Sequence, residues 1–105
     1  MLNQEKLLKE EEKYLKIKCV LGSKIAEARV FAGFPKRTYN DSIKSGNLLF
    51  KTESGESLPN EDTLRYYIDL YQVSDKNASL LYELWREGKK TKSKIIRLKR
   101  GWETK

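Results

Sequence analysis

The stretch LLFKTESGESLPNEDTLRYY, Leu48 to Tyr67, decides the fold. The apolar triplet Leu48, Leu49 and Phe50 runs into Glu53-Ser54-Gly55. A glycine just past a helix adopts the left-handed conformation that closes the last turn. Pro59 stiffens the loop that follows. Asn60 is a good helix N-cap, and Glu61 and Asp62 suit the positive end of the helix it opens. Leu64, Tyr67, Ile68 and Tyr71 then fall at i, i+3, i+4 and i+7, one face of an amphipathic helix. The stretch reads as helix, glycine turn, short loop, capped helix.

Working outward, the same pattern recurs. From Leu2 to Lys18 the chain is rich in Glu, Lys and Leu, which favour helix. Leu7, Leu8, Tyr14, Leu15 and Leu21 mark an apolar stripe, and Glu5–Lys9 and Glu12–Lys16 are spaced i, i+4. Leu21-Gly22-Ser23 predicts a break, with Ser23 capping a second helix on which Ile25, Ala28 and Ala32 share a face. Gly33 ends it, and Pro35 leads into a short helix over 36–43. Lys44-Ser45-Gly46 is a turn, with Ser45 placed to cap a helix that runs to Glu53. Beyond Val73, Ser74 or Asp75 caps another helix carrying Leu80, Leu81, Leu84 and Trp85, which Gly88 is expected to stop. KIIRL, 94–98, reads as a short strand or a last helical turn. No internal repeat is present.

Composition narrows the chemistry. The chain has 105 residues, no histidine and one cysteine, Cys19. That removes the usual nucleophile–base pairs and most metal sites, so no enzyme, no metal and no cofactor is expected. Cys19 reads as a buried, inert thiol in a reducing cytoplasmic setting. No apolar run is long enough for a membrane helix, and the N-terminus is too charged for a signal peptide. The net charge is +7, and residues 89–105 alone supply that excess, with eight Lys and Arg against Glu103. A basic segment of this kind attracts polyanions at long range, nucleic acid first.

LGSKIAEARVFAGF from Leu21, S-x-x-L-L-F-K-T-E-S-G-E-S-L-P from Ser45, and NEDTLRYYIDLYQVSDKNASLLYELWREGK from Asn60 together resemble the lambda-repressor-like (XRE, or Cro/repressor) helix-turn-helix family. The resemblance spans 21–88. It implies an all-α, compact five-helix domain, here with an extra N-terminal helix over 1–20 and a basic C-terminal tail over 89–105. It further implies that the second helix crosses the DNA backbone and the third lies in the major groove. The resemblance also implies a structural ion pair between Arg29 and Glu53, and an unpaired charge amid Ala28, Val30, Phe31 and Ala32 would be costly to bury.

The implied roles on double-stranded DNA follow from side-chain chemistry. Lys36 and Arg37 contact phosphates, with Lys44 in support. Ser45 caps the recognition helix. Asn47 and Lys51 read base edges. Lys89, Lys90, Lys92, Lys94, Arg97, Lys99 and Arg100 add sequence-independent attraction. The expected function is a small sequence-specific transcriptional regulator, a repressor or activator of phage, plasmid or mobile-element type, acting as a dimer. Two alternatives stand beside it. Leu48, Leu49 and Phe50 cannot all face inward on a helix, which suits a helix-turn-helix scaffold turned to protein binding as an inhibitor, anti-repressor or adaptor. The tail suits a non-specific nucleic-acid binder.

Overall fold

A computed structural model describes residues 2–34 and 51–103, with side chains over 4–34 and 51–100. The described chain is helical, with no strand. Helix α1 spans Leu2–Phe31, α2 spans Glu61–Leu70 and α3 spans Asp75–Glu103. Residues 51–53 are also helical, and lead into the turn at Gly55. The short helix expected over 36–43, and most of the one expected over 45–53, lie outside the described residues.

Helices α1 and α3 form an antiparallel hairpin. Lys13 meets Glu87 at 3.1 Å and Glu10 meets Lys94 at 3.8 Å, so residue number rises on one helix as it falls on the other. Further down, Ile17 lies beside Gly88, and Ala28 shares a cavity wall with Leu81. A helix of 30 residues is about 45 Å long, which accounts for the longest dimension of 50 Å. Helix α2 packs across the lower half of this hairpin. Leu64, Tyr67, Ile68 and Tyr71 meet Leu21, Ile25 and Leu81 in one core. Tyr67 and Tyr71 stack with ring centroids 5.9 Å apart, and Phe34 adds a tilted contact to Tyr71 at 5.6 Å. Trp85 donates its indole N–H to the Pro59 carbonyl at 2.7 Å, fastening the loop before α2 to α3.

Local chemistry ends each element. Asn60 accepts from the Thr63 amide at 2.8 Å, and Ser74 from the Asn77 amide at 3.3 Å, as N-caps of α2 and α3. Three helical segments close in the same way. Phe34 and Gly33 amides donate back to Arg29 and Val30 carbonyls, Glu56 and Gly55 to Lys51 and Thr52, Val73 and Gln72 to Ile68 and Asp69. These are Schellman closures, which need a left-handed residue at their centre. Gly33 and Gly55 supply it at φ +83° and +80°. The third closure uses Gln72 at φ +51°.

Two expected breaks are absent. Helix α1 runs unbroken through Leu21-Gly22-Ser23, so the extra N-terminal helix and the next helix are one element. Leu7, Ile17, Leu21 and Ile25 are buried along a single seam that keeps its register across Gly22. That glycine serves packing: a Cβ there would overlap the Thr52 carbonyl oxygen and sit 2.8 Å from that of Glu53. Likewise α3 continues through Gly88 and carries the basic segment to Glu103 as helix. Thr91 and Ile95 are buried beyond the glycine. The N-terminal apolar stripe also divides. Leu7 is buried, while Leu8 and Leu15 remain 61 % and 54 % exposed. Cys19, expected in the core, is exposed, with Gly55 packed close against its sulfur and backbone.

Gly22→Ala is expected to lower stability by about 2 kcal/mol in urea denaturation. The helix-propensity gain of about 1 kcal/mol is outweighed by pushing backbone off backbone. Gly88→Ala should cost less, because its nearest neighbours at 3.2 Å are the movable methyls of Leu58. Gln72→Gly should instead stabilise by about 0.5–1 kcal/mol, by relieving a left-handed side-chain-bearing residue.

Candidate nucleic-acid interface

The interface is built around Arg29, near the C-terminal end of α1. Its Nε donates to Glu53 Oε2 at 2.7 Å and Nη2 donates to Oε1 at 3.3 Å. The third arm, Nη1, donates to the Phe34 carbonyl at 2.8 Å. Both side chains are buried, at 8 % and 7 % exposure. The planar fork of a guanidinium suits this two-point grip on a carboxylate, which an ammonium cannot make. The consequence is topological. Phe34 and Glu53 bracket the segment 35–52, and one side chain holds both of its ends against α1.

That segment carries six of the thirteen residues expected to contact DNA, including both expected base readers, Asn47 and Lys51. Lys36, Arg37, Lys44, Ser45 and Asn47 lie outside the described residues. Lys51 is exposed on the last helical turn, and its carbonyl accepts from the Glu56 amide at 2.9 Å. Lys18, on α1, reaches the Glu56 carbonyl at 3.4 Å, so this turn rests on the middle of the helix.

Lys89, Lys90, Lys92, Lys94, Arg97, Lys99 and Arg100 are all exposed on α3. At about 100° per residue they surround every side of the helix that does not face α1. Lys90, Lys94 and Arg97 share one flank; Lys92 and Lys99 lie on the other. The structure does not gather them with Lys51. Lys51 stands at the level of Gly22, whereas Lys94 stands at the level of Glu10. Two sites result: a clamped segment on the body, and a basic two-helix stalk formed by 4–18 and 89–100.

The stalk contains interactions not anticipated from spacing. Ion pairs link its two helices, Lys13 to Glu87 and Lys94 to Glu10. The hydrogen bond and positive charge of Lys13 hold the Glu87 carboxyl below its ordinary range. Lys89 lies over the Trp85 ring, 5.4 Å from its centroid, covering the indole with its stem. Burial pushes the Tyr14 hydroxyl up, and Lys18 sits 4.6 Å above its ring. Glu10 and Glu87, which make these pairs at the edges of the seam, are charged, so a search for apolar periodicity passes over them. Among the described residues no cluster of His, Cys, Asp and Glu could hold a metal, and no helix is long and apolar enough to cross a membrane.

Comparison with protein-family models, with curated proteins and with solved structures returns no match.

Arg29→Met should destabilise the chain by about 3–5 kcal/mol, since it strands a buried carboxylate. The double variant Arg29→Met/Glu53→Leu should recover much of that loss. A denaturation cycle over the four proteins measures the coupling, and additive losses would show two independent charges.

Proposed function

We propose that this chain is a sequence-specific double-stranded-DNA-binding transcriptional regulator of the lambda-repressor-like helix-turn-helix type, of the kind carried by phages, plasmids or mobile elements. The observation that carries the reading is the Arg29 clamp on Glu53 and Phe34. It fixes both ends of a segment rich in Lys, Arg, Ser and Asn on a rigid helix, as a reader of base edges requires. Within the segment, Lys36, Arg37 and Lys44 take phosphates, Ser45 caps the recognition helix, and Asn47 and Lys51 take bases. The exposed flank of α3 adds phosphate attraction.

One observation favours a second reading, a protein-binding module. Phe31 is 95 % exposed and lines a cavity of about 510 Å³ with Ala28, Tyr71, Val73 and Leu80, and its neighbour Val30 is 65 % exposed. An apolar surface of this kind suits a protein partner. Ionic strength separates the two readings. Affinity for DNA falls steeply with salt, whereas docking on an apolar surface does not.

Asn47→Ala and Lys51→Ala are each expected to cost about 1–3 kcal/mol in operator discrimination, with the unfolding midpoint unchanged. Binding would be read by gel shift against a site selected from a random duplex pool. Lys90→Gln, Lys94→Gln and Arg97→Gln together should weaken every duplex equally and flatten the salt slope by about 3. Neutralisation is preferable to truncation, because removing the basic segment would uncover α1. If both Ala variants still discriminate as wild type does, the assignment of the clamped segment fails. A non-specific binder driven by α3 would lose its affinity to the Gln set alone.

A further inference from the structure

We infer that the open half of the groove between α1 and α3 docks an amphipathic helix of another protein, basic along one flank and acidic along the other. The chain itself fills the lower half of this groove with residues 51–60. Gly55 packs on Cys19, the Leu58 methyls and Ile17 meet at Gly88, and Trp85 holds the Pro59 carbonyl. The filling stops at Lys18, which bonds the Glu56 carbonyl. Above Lys18 the groove continues as an open cleft of about 560 Å³, lined by Leu8, Glu11, Leu15, Lys92, Ile96 and Lys99, among others. Leu8, Leu15 and Ile96 are 61 %, 54 % and 42 % exposed. The cleft therefore extends a surface that already holds a polypeptide.

Shape and charge select the occupant. Leu8 and Leu15 are spaced by seven, the repeat at which a further helix sets successive side chains into a two-helix groove. Among the described residues there is no strand edge for an extended peptide to join. Along α1 the cleft carries Glu11 and Glu12; along α3 it carries Lys92 and Lys99. A nucleic acid or an anionic lipid surface would gain the lysines but be repelled by the carboxylates beside them. A helix with lysines or arginines facing α1 and carboxylates facing α3 satisfies both banks.

A second copy of this chain fits less well. With the two copies parallel, their 51–60 segments collide over the lower halves of the grooves. With the copies antiparallel, α1 lies on α1 and α3 on α3. Glu11 and Glu12 then face their own kind, as do Lys92 and Lys99, and like charges disfavour that contact. The docking site does not rest on the proposed DNA reading. Lys90, Lys94 and Arg97 stand on the other flank of α3, and a docked helix leaves them uncovered.

The test uses three synthetic helices of about three heptads, stapled on the outward face and carrying Leu at a and d. One has Lys along one flank and Glu along the other, the second has Glu along both, and the third has Lys along both. The mixed probe can satisfy both banks by choosing its direction, and neither uniform probe can. Fluorescence anisotropy with the full chain is expected to show the mixed probe binding at least about tenfold more tightly than the other two. Glu11→Lys/Glu12→Lys should transfer the preference to the all-Glu probe, and Lys92→Glu/Lys99→Glu to the all-Lys probe. Leu15→Glu should weaken the mixed probe by about a hundredfold. All these positions are exposed, and unchanged circular dichroism would verify folding. A wild-type chain that does not take the mixed probe overturns the proposal. So does a preference that ignores the charge changes, or a wild-type dimer that Leu15→Glu dissociates in sedimentation equilibrium, which would assign the cleft to a second copy. A chain that takes the mixed probe as expected but selects no duplex keeps the docking site and sinks the DNA reading.

Discussion

The end of the molecule away from the stalk depends on where one guanidinium points. Arg29 is buried, so its charge must be met inside the protein or the fold is lost. It is met by a carboxylate 24 residues away and a carbonyl five residues away. A hydrophobic pair of similar volume would bury as well, and such replacements are often no less stable. What the ion pair adds is direction. Glu53 takes two arms of the fork and the Phe34 carbonyl a third, so these two residues each have one placement on α1. The Schellman closures at Gly33 and Gly55 lie immediately beyond both anchors, so the backbone leaves each end at a defined angle.

The core and the stalk make different use of the same two helices. In the lower half the hairpin is thickened by α2, whose tyrosines and leucine fill a three-sided core. In the upper half the two helices have only each other. Their inner seam is narrow: Leu7, Ile17 and Ile95 are buried, with Thr91 bonding back to the Glu87 carbonyl at 2.8 Å. Ion pairs across the edges, Lys13–Glu87 and Glu10–Lys94, add little energy at partly exposed positions. Two helices alone bury one stripe each, which is the physical reason the remaining apolar side chains of the stalk stand in solvent.

The sequence makes the α2 face and its Asn60 cap plain, because i, i+3, i+4, i+7 spacing and an Asx cap are local signals. That Arg29 needs a partner was also accessible, since a lone charge in an apolar run is costly to bury, but the choice of Glu53 rested on the family resemblance. The uninterrupted length of α1 and α3 was not accessible. Gly22 and Gly88 look like helix stops when read locally, but Gly22 admits the Thr52–Glu53 backbone and Gly88 the side chains of Leu58 and Ile17, contacts visible only in three dimensions. The division of Leu7–Leu8 and Tyr14–Leu15 into inner and outer residues was hidden for a related reason. Adjacent leucines cannot both face one seam, and only the position of α3 decides which does. Cys19 is exposed although Gly55 lies against both its sulfur and its backbone, a contact between distant segments that no local pattern announces.

The continuity of α1 through Gly22 ties the two ends of the molecule together. Leu15 on the stalk and Arg29 at the clamp are fourteen residues apart on one helix, about 21 Å at 1.5 Å per residue. A break at Gly22 would leave a hinge between them, and the orientation of the clamped segment would then be independent of the stalk. Without a hinge, whatever fixes the stalk also fixes the clamp. The backbone of Thr52 and Glu53 seats against Gly22 itself. The residue that most resembles a helix breaker is therefore where the segment after the clamp is pressed onto the rigid rod, and a side chain there would loosen both. In this chain a small residue in mid-helix confers stiffness, because what it admits is another strand of backbone and not flexibility.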